Sequence, residues 1–420
     1  MRNKLAGAFI LLLVIGLVTS IACAPAATGK PAAEKPAENV VITIGDLPNL
    51  TGAYAATQSC YVESNGGAVA LANEKNYIPG VTLKYEWVDA ATDPAKAMTA
   101  YKKLLAATPR PAVIIDHSTA IGTALKQTAA ADKIPIVEGG VSNEILIPPG
   151  WVFYYGSPYP CEAGAYADWF KSQWKESRAP RFAALTWDLP YGRAWITDES
   201  MAYIKSKGFE IVGQEFIPAV PSDTTPQLLR LKDAKVDVCF GAMYPSALAV
   251  VLKDANKLGM IGTFTWGGVY AVNLIELVGY VGPLANGCTV TSTDILPTMW
   301  KEKAPLMQEN WDKNGAKLAP ATQFAFANAA ERVVIGIGAI KSAVEKVGAK
   351  NVDGQAVYNA LINMKNFDPW GTGAPITFSE TKRYGQDTVF ITQVQNEKAI
   401  QLGTARVPDL LPGGKDVPAK

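Results

Sequence analysis

From Val40 onward, short apolar runs rich in β-branched residues alternate with longer stretches of helical spacing. Residues 40–44 form the first run, and a polar loop over 45–58 follows it. Ala68, Leu71 and Ala72 give an apolar stripe that predicts a helix over 63–76. Residues 81–89 alternate as a strand does, and Thr92-Asp93-Pro94 supplies a cap and a first-turn proline for a helix over 94–107. The stretch 111–143 is the most informative. An apolar run at 112–115 is broken by Asp116-His117-Ser118-Thr119, and an Ala-rich, helix-compatible segment covers 120–132. A second apolar run at 134–137 then ends in the small, polar turn 139–143. This is a βαβ unit, so its strands are expected to be parallel and buried. Both turns then lie at the carboxyl ends of neighbouring strands, where open α/β sheets bind ligands. Their backbone N–H groups, with the hydroxyls of Ser118, Thr119 and Ser142, suit a small anion such as a carboxylate. The same hydroxyls would also serve as helix caps, and the sequence leaves both readings open.

The pattern then restarts. A strand at 151–153 leads to Gly156-Ser157-Pro158-Tyr159-Pro160, where the chain is expected to cross between lobes. Helices are predicted at 162–174, 192–207, 227–234, 246–258 and 273–278, alternating with strands at 182–186, 211–217, 236–241, 264–266 and 288–291. Gly208 and Gly259 sit where helices end. Helices return at 301–314, 323–347 and 354–363, and two strands close the series near 376–378 and 388–393. Residues 406–420, rich in Pro, Gly and Lys, are expected to be loose. A βα pattern that occurs twice makes this an α/β chain of two similar Rossmann-like lobes, parallel sheets flanked by helices. Residues 40–157 and 294–370 are assigned to the first lobe, 158–293 and 371–405 to the second.

Composition narrows the function classes. Lys and Arg number 39 against 38 Asp and Glu, so bulk charge gives no footprint for nucleic acid. One histidine, His117, is too few for a histidine zinc site, and no metal and no cofactor is expected. At the amino end, Arg2 and Lys4 precede an apolar core over 8–18 and the small residues before Cys23. That describes a secretory signal over 1–22, too short for a membrane span of about 20 apolar residues. Cys23 stands where a bacterial lipoprotein signal places its lipidated cysteine, although Ser20 occupies the position usually held by Leu. Residues 23–39, made of Ala, Pro, Lys and Glu without large apolar groups, read as a flexible tether. Cys239 and Cys288 lie in strand-like runs and read as buried thiols. Cys60 and Cys161 could pair or could both be packing residues, and the second reading is favoured.

The order of these elements and several local motifs resemble the type 1 periplasmic binding proteins, in particular the leucine/isoleucine/valine-binding group that feeds ABC importers. The resemblance spans roughly residues 40–405. It is carried by Asn49-Leu50-Thr51-Gly52-Ala53-Tyr54, by Asp89 with Asp93-Pro94, and by the turns at Ser118-Thr119 and 139–143. Asp188 with Tyr191-Gly192, and Tyr384-Gly385 before 388–394, complete it. The resemblance implies two lobes joined by a three-stranded hinge and closing on one small ligand. It places Tyr54, Ser118, Thr119, Gly140, Val141 and Ser142 on the first wall of the cleft. Tyr191, Met243, Tyr244, Trp266 and Gly267 fall on the facing wall. Thr119, Gly140 and Ser142 match positions that hold an amino acid's carboxylate and ammonium. The family's acidic partner for the ammonium is Gly267 here, so Asp116 or Glu138 would have to substitute, or the ligand is not an α-amino acid. Trp187, Tyr191, Tyr244, Trp266 and Tyr270 cluster near these turns and suit a flat or apolar ligand.

The expected function is therefore binding of a small carboxylate-bearing solute, a branched-chain amino acid or a relative. An aromatic acid, a short amide or urea is the alternative ligand. The implied partners are permease and ATPase subunits, with a monomer held to the outer face of the membrane through the lipid on Cys23. A sensor lobe would share the same sequence features. An exported hydrolase using Asp188 or Glu138 is the opposing class, but no nucleophile has a base beside it, so no catalytic residue is assigned. His117 is expected to order its turn.

Overall fold

Two sheets, each reversing its direction of winding once, set the positions of all the loops discussed below. The computed structural model describes residues 39–269 and 273–418. The signal, Cys23, the tether before Asn39, and Tyr270 lie outside the described residues. The first sheet holds β1 (Val40–Leu47), β2 (Val81–Trp87), β3 (Pro111–Asp116), β4 (Ile136–Glu138) and β5 (Val152–Tyr154), all parallel in the order β2-β1-β3-β4-β5. The second holds β6 (Arg181–Trp187), β7 (Glu210–Ile217), β8 (Val238–Gly241), β9 (Thr265–Gly268), β10 (Thr289–Ser292), β11 (Thr388–Gln395) and β12 (Lys398–Arg406). Its order is β12-β11-β10-β9-β8-β6-β7, parallel from β6 to β10 and antiparallel at β11 and β12.

Residues of β3, β4 and β5 are buried throughout, as expected of apolar, β-branched runs covered by helices on both faces. In the first sheet the chain winds outward from β1 to β2 and then returns to β3. In the second it winds from β6 to β7 and returns to β8. Each reversal opens a crevice at the carboxyl ends of the two inner strands. The loops after β1 and β3, and those after β6 and β8, are therefore the ones able to hold a ligand.

Three chain passages join the sheets and bond to one another. The Tyr154 N–H donates to the Arg383 carbonyl at 2.7 Å, and the Gly385 N–H to the Gly156 carbonyl at 3.1 Å. The Ile295 N–H donates to the Thr372 carbonyl at 2.7 Å. Gln323–Val347, a helix of 25 residues, packs on the first sheet beside the Tyr61–Glu74 helix. Phe324, Asn328 and Arg332 recur at intervals of four along it and so share one face.

Several expectations are corrected. Residues 192–207 do not form one helix: Thr197 caps a separate helix, Asp198–Ser206, in a reciprocal capping arrangement with Ser200. The helix expected over 301–314 is interrupted at Pro305, which starts a new turn. Residues 376–378 form no strand and make only a bridge between Ile376 and Phe367. A strand that the sequence reading lacked, β12, follows β11 through Asn396 and Glu397, both with positive φ as a tight hairpin turn requires. The segment after β12 is not loose: Val407, Leu410 and Leu411 are buried, and the Leu410 N–H points at Cys161 Sγ at 3.3 Å. Cys60, Cys161, Cys239 and Cys288 are all buried free thiols. Among the described residues, no helix is long and apolar enough to cross a membrane.

Candidate functional site

The loops at the two crevices face one another across a cavity. On the first wall, the loop after β1 is pinned by side chains. Asp89 accepts from the Leu50 N–H at 2.9 Å and from the Thr51 hydroxyl at 2.7 Å. Asn49 accepts from the Thr92 N–H at 2.6 Å. This holds Tyr54 at the cavity. The loop after β3 starts the Thr119–Asp132 helix, whose first N–H groups have no intrahelical acceptor. Gly140, on the neighbouring loop, lies against that helix start: a Cβ there would sit 2.4 Å from the Thr119 nitrogen. The Ser118 and Ser142 hydroxyls do not cap their helices, and with Thr119 Oγ1 they are buried without a hydrogen-bond partner. The capping reading of the Ser118 and Ser142 hydroxyls is thereby removed, and of the three residues Thr119 lines the cavity.

The third component of this wall is Arg332, a buried guanidinium lining the cavity from the long helix. Its Nη1 lies 2.6 Å from His117 Nδ1, and its Nη2 donates to Asn328 Oδ1. A guanidinium has no lone pair to offer, so His117 Nδ1 accepts and the ring proton resides on Nε2. That proton is donated to Asp46 Oδ1 at 2.8 Å. Asp46 also accepts from Asn65 at 2.8 Å and from the Tyr85 hydroxyl at 2.5 Å. Burial holds the His117 imidazole below its usual pKa, against the pull of Asp46 and with the help of Arg332. His117 is thus a neutral strut between a carboxylate and a cation. Gly139 makes room for the cation, since a Cβ there would meet Arg332 Cζ at 2.3 Å.

Glu138 lies behind the same turn and accepts from the Gly140 N–H at 2.7 Å. It pairs in register with Asp116 across β3 and β4. Burial pushes Glu138 up to about 7, and burial together with Glu138 raises Asp116. Two carboxyls this close and this dry do not both ionise at neutral pH. Neither lines the cavity.

The second wall is aromatic. Tyr159, Tyr191 and Tyr244 line the cavity, backed by Trp187 and Trp195. Tyr159 stacks on Trp195 with centroids 4.2 Å apart. Tyr54 reaches across from the first wall, 6.4 Å from Trp187 in a near-parallel arrangement and 5.5 Å from Tyr244.

Of the residues expected at the site, Tyr54, Thr119, Gly140, Tyr191 and Tyr244 line this cavity. Ser142 lines an adjoining groove with Thr119, Pro190 and Arg193. Ser118, Val141 and Met243 are buried beside it rather than in its lining. Trp266 and Gly267 are not brought to the cavity. Trp266 lines a groove elsewhere on the second sheet, with Phe170 and Trp174. The side-chain direction of Gly267 is filled by Tyr166, whose ring carbon Cζ would lie 2.3 Å from a Cβ there. A side chain at 267 would have to displace the buried Tyr166 ring. Asp188, a candidate acid, is exposed and paired with Arg193 at 2.6 Å. The sequence reading missed Tyr61, Tyr159, Asn273, Phe324, Asn328 and Arg332, and gave His117 a lesser part. Glu331-Arg332 inside an otherwise apolar helical run was the available signal. A charge in such a run is retained where it is paired or used.

The family model described as Periplasmic binding protein matches residues 41–399. By sequence alone, no curated protein matches the chain. Among solved structures, a branched-chain amino acid ABC transporter protein from Thermus thermophilus with bound valine superposes with a TM-score of 0.78 at 19% identity, covering 89% of this chain and 97% of its own. A fatty acid ABC transporter substrate-binding protein from Thermomonospora curvata gives 0.75 at 18% identity, with coverage of 92% and 97%. A solute-binding protein of an ABC transporter from Rhodopseudomonas palustris BisB5, in complex with 3,4-dihydroxybenzoic acid, gives 0.70 at 19% identity, with coverage of 89% and 99%. At these identities the likeness is one of fold. With a family match over most of its length, the chain belongs to the periplasmic binding protein family, type 1, and is a solute-binding protein.

Proposed function

We propose that this chain is the exported, lipid-anchored binding component of an ABC importer, and that it captures a small carboxylate-bearing solute between its two lobes. The single observation carrying the ligand class is convergence. The open N–H groups at Thr119, the unpartnered hydroxyl of Thr119 and the Arg332 guanidinium all lie along one wall of the same cavity. A helix start and a fixed cation together hold an anion well. The ligands named for the three structural neighbours, valine, a fatty acid and dihydroxybenzoic acid, share a carboxylate. Tyr54, Thr119, Gly140, Tyr191, Tyr244 and Arg332 would contact the solute.

Capture follows from the hinge. A solute binds the first wall, and rotation about the three joining passages brings the aromatic wall over it. Tyr54 meeting Trp187 and Tyr244 excludes water and strengthens every charge interaction inside. The closed form then presents a joined surface to a permease, with ATP hydrolysis supplied by partner subunits. Export and anchoring rest on Arg2, Lys4, the apolar core and Cys23. The test is a thermal-shift screen of the purified protein against carboxylic acids and their neutral amides, followed by uptake measurements in a deletion strain. Stabilisation by acids, and loss of uptake of the same acids, are expected. Stabilisation by neutral compounds alone would overturn the ligand class, and unchanged uptake would overturn the transport role.

A further inference from the structure

We infer that the cleft selects planar, aromatic carboxylates that lack an ammonium group, with Arg332 as the residue that fixes this preference. The inference rests on the carboxylate reading above and goes beyond it to the solute class. An α-amino acid brings a cation as well as an anion, and a buried ammonium needs a carboxylate or several acceptors. Among the described residues lining the cavity there is no Asp or Glu. The 267 position cannot supply one, because Tyr166 occupies the space its side chain would need. Asp116 and Glu138, the substitutes suggested by the sequence, stand behind the Gly139-Gly140 turn. What the wall offers is a cation.

That cation is positioned rather than adaptable. Asp46 receives the Nε2 proton of His117, His117 Nδ1 receives Arg332 Nη1, and Asn328 receives Nη2. Asn328 itself donates to Asp294 Oδ2 at 3.1 Å, tying the guanidinium to a joining passage between the lobes. The two ends of the guanidinium are thus fixed from β1 and from the hinge. An ammonium-bearing ligand would meet a positive charge that has no freedom to withdraw. The remaining lining is a set of rings: Tyr54, Tyr61, Tyr159, Tyr191, Tyr244 and Phe324. Rings on opposed walls suit a flat π system, which gains stacking or edge contacts from each.

Isothermal titration of the purified protein with benzoate, 4-hydroxybenzoate, benzamide, phenylalanine and leucine tests this. The aromatic acids are expected to bind at least about tenfold more tightly than benzamide, phenylalanine or leucine. Arg332→Gln is expected to erase the preference of acid over amide, and Arg332→Lys, which keeps the charge, to restore part of it. The wild-type ratios stand as a test even where a variant folds poorly. Leucine or phenylalanine binding as tightly as the aromatic acids would overturn the inference while leaving the carboxylate reading intact. Benzamide binding as tightly as benzoate would overturn both.

Discussion

His117 Nδ1 lies 2.6 Å from Arg332 Nη1, and this one contact fixes both the tautomer of the only histidine and the placement of the cation in the cleft. Removing the imidazole would leave Asp46 and Arg332 buried, each short of one partner. His117→Ala is expected to destabilise the fold by roughly 3 kcal/mol, as truncating a buried charge network does. His117→Gln, whose amide both accepts and donates, should lose less than half of that. Urea unfolding checks both. Equal stability of His117→Ala and wild type would show that the relay does not support the fold.

Gly267 stands where the family resemblance places an acid. Gly267→Asp is expected not to create affinity for leucine or valine. It should instead destabilise by about 1–3 kcal/mol, because its Cβ is forced against the Tyr166 ring. Titration with leucine and a melting curve measure the two effects. Gain of leucine binding without loss of stability would contradict the placement of Tyr166.

Tyr54 reaches from the first wall to the aromatic second wall at Trp187 and Tyr244. Tyr54→Ala is expected to weaken the binding of an aromatic acid roughly three- to tenfold, the worth of an aromatic pair. The loss should appear mainly as faster release, since the lid contact forms only after the ligand is held. Stopped-flow measurement separates the rates. An effect confined to association would contradict the lid role.

Glu162 lies on the Tyr159–Gln173 helix and accepts from the Thr291 hydroxyl at 2.9 Å. Burial pushes its carboxyl up from 4.5 to about 8. The folded chain therefore keeps a proton that the unfolded chain releases above 4.5. Its contribution to stability is complete at acid pH and is lost as pH rises through about 8. Glu162→Gln, permanently neutral, should melt close to wild type at pH 5 and above it at pH 8.5. A difference that does not change with pH would contradict the shift.

The alternation of strands and helices and the first-wall turns were legible because β strands buried on both faces must be apolar and because small, polar residues must follow them. The run 112–115 and the turn 139–143 announce their own positions. Tyr191 and Tyr244 were legible through their motifs. Arg332 was not: it comes to the cleft from a helix more than two hundred residues after the turn that holds His117, and only tertiary packing joins them. Gly267 misled for a related reason. Position along a strand fixes which face a side chain takes, but the neighbour filling that face, Tyr166, belongs to another element. β12 escaped because its exposed face leaves little apolar pattern, although Asn396 marked the turn before it.

On the proposed function, the first wall holds a carboxylate between the Thr119 helix start and Arg332. A crystal structure of the complex with 4-hydroxybenzoate tests it most directly. Carboxylate oxygens are expected within about 2.7–3.0 Å of the Arg332 guanidinium and of the Thr119 or Ala120 N–H groups, with the ring lying between Tyr54 and Tyr191. A carboxylate turned toward the second wall or toward solvent, with Arg332 contacting no ligand oxygen, would contradict it.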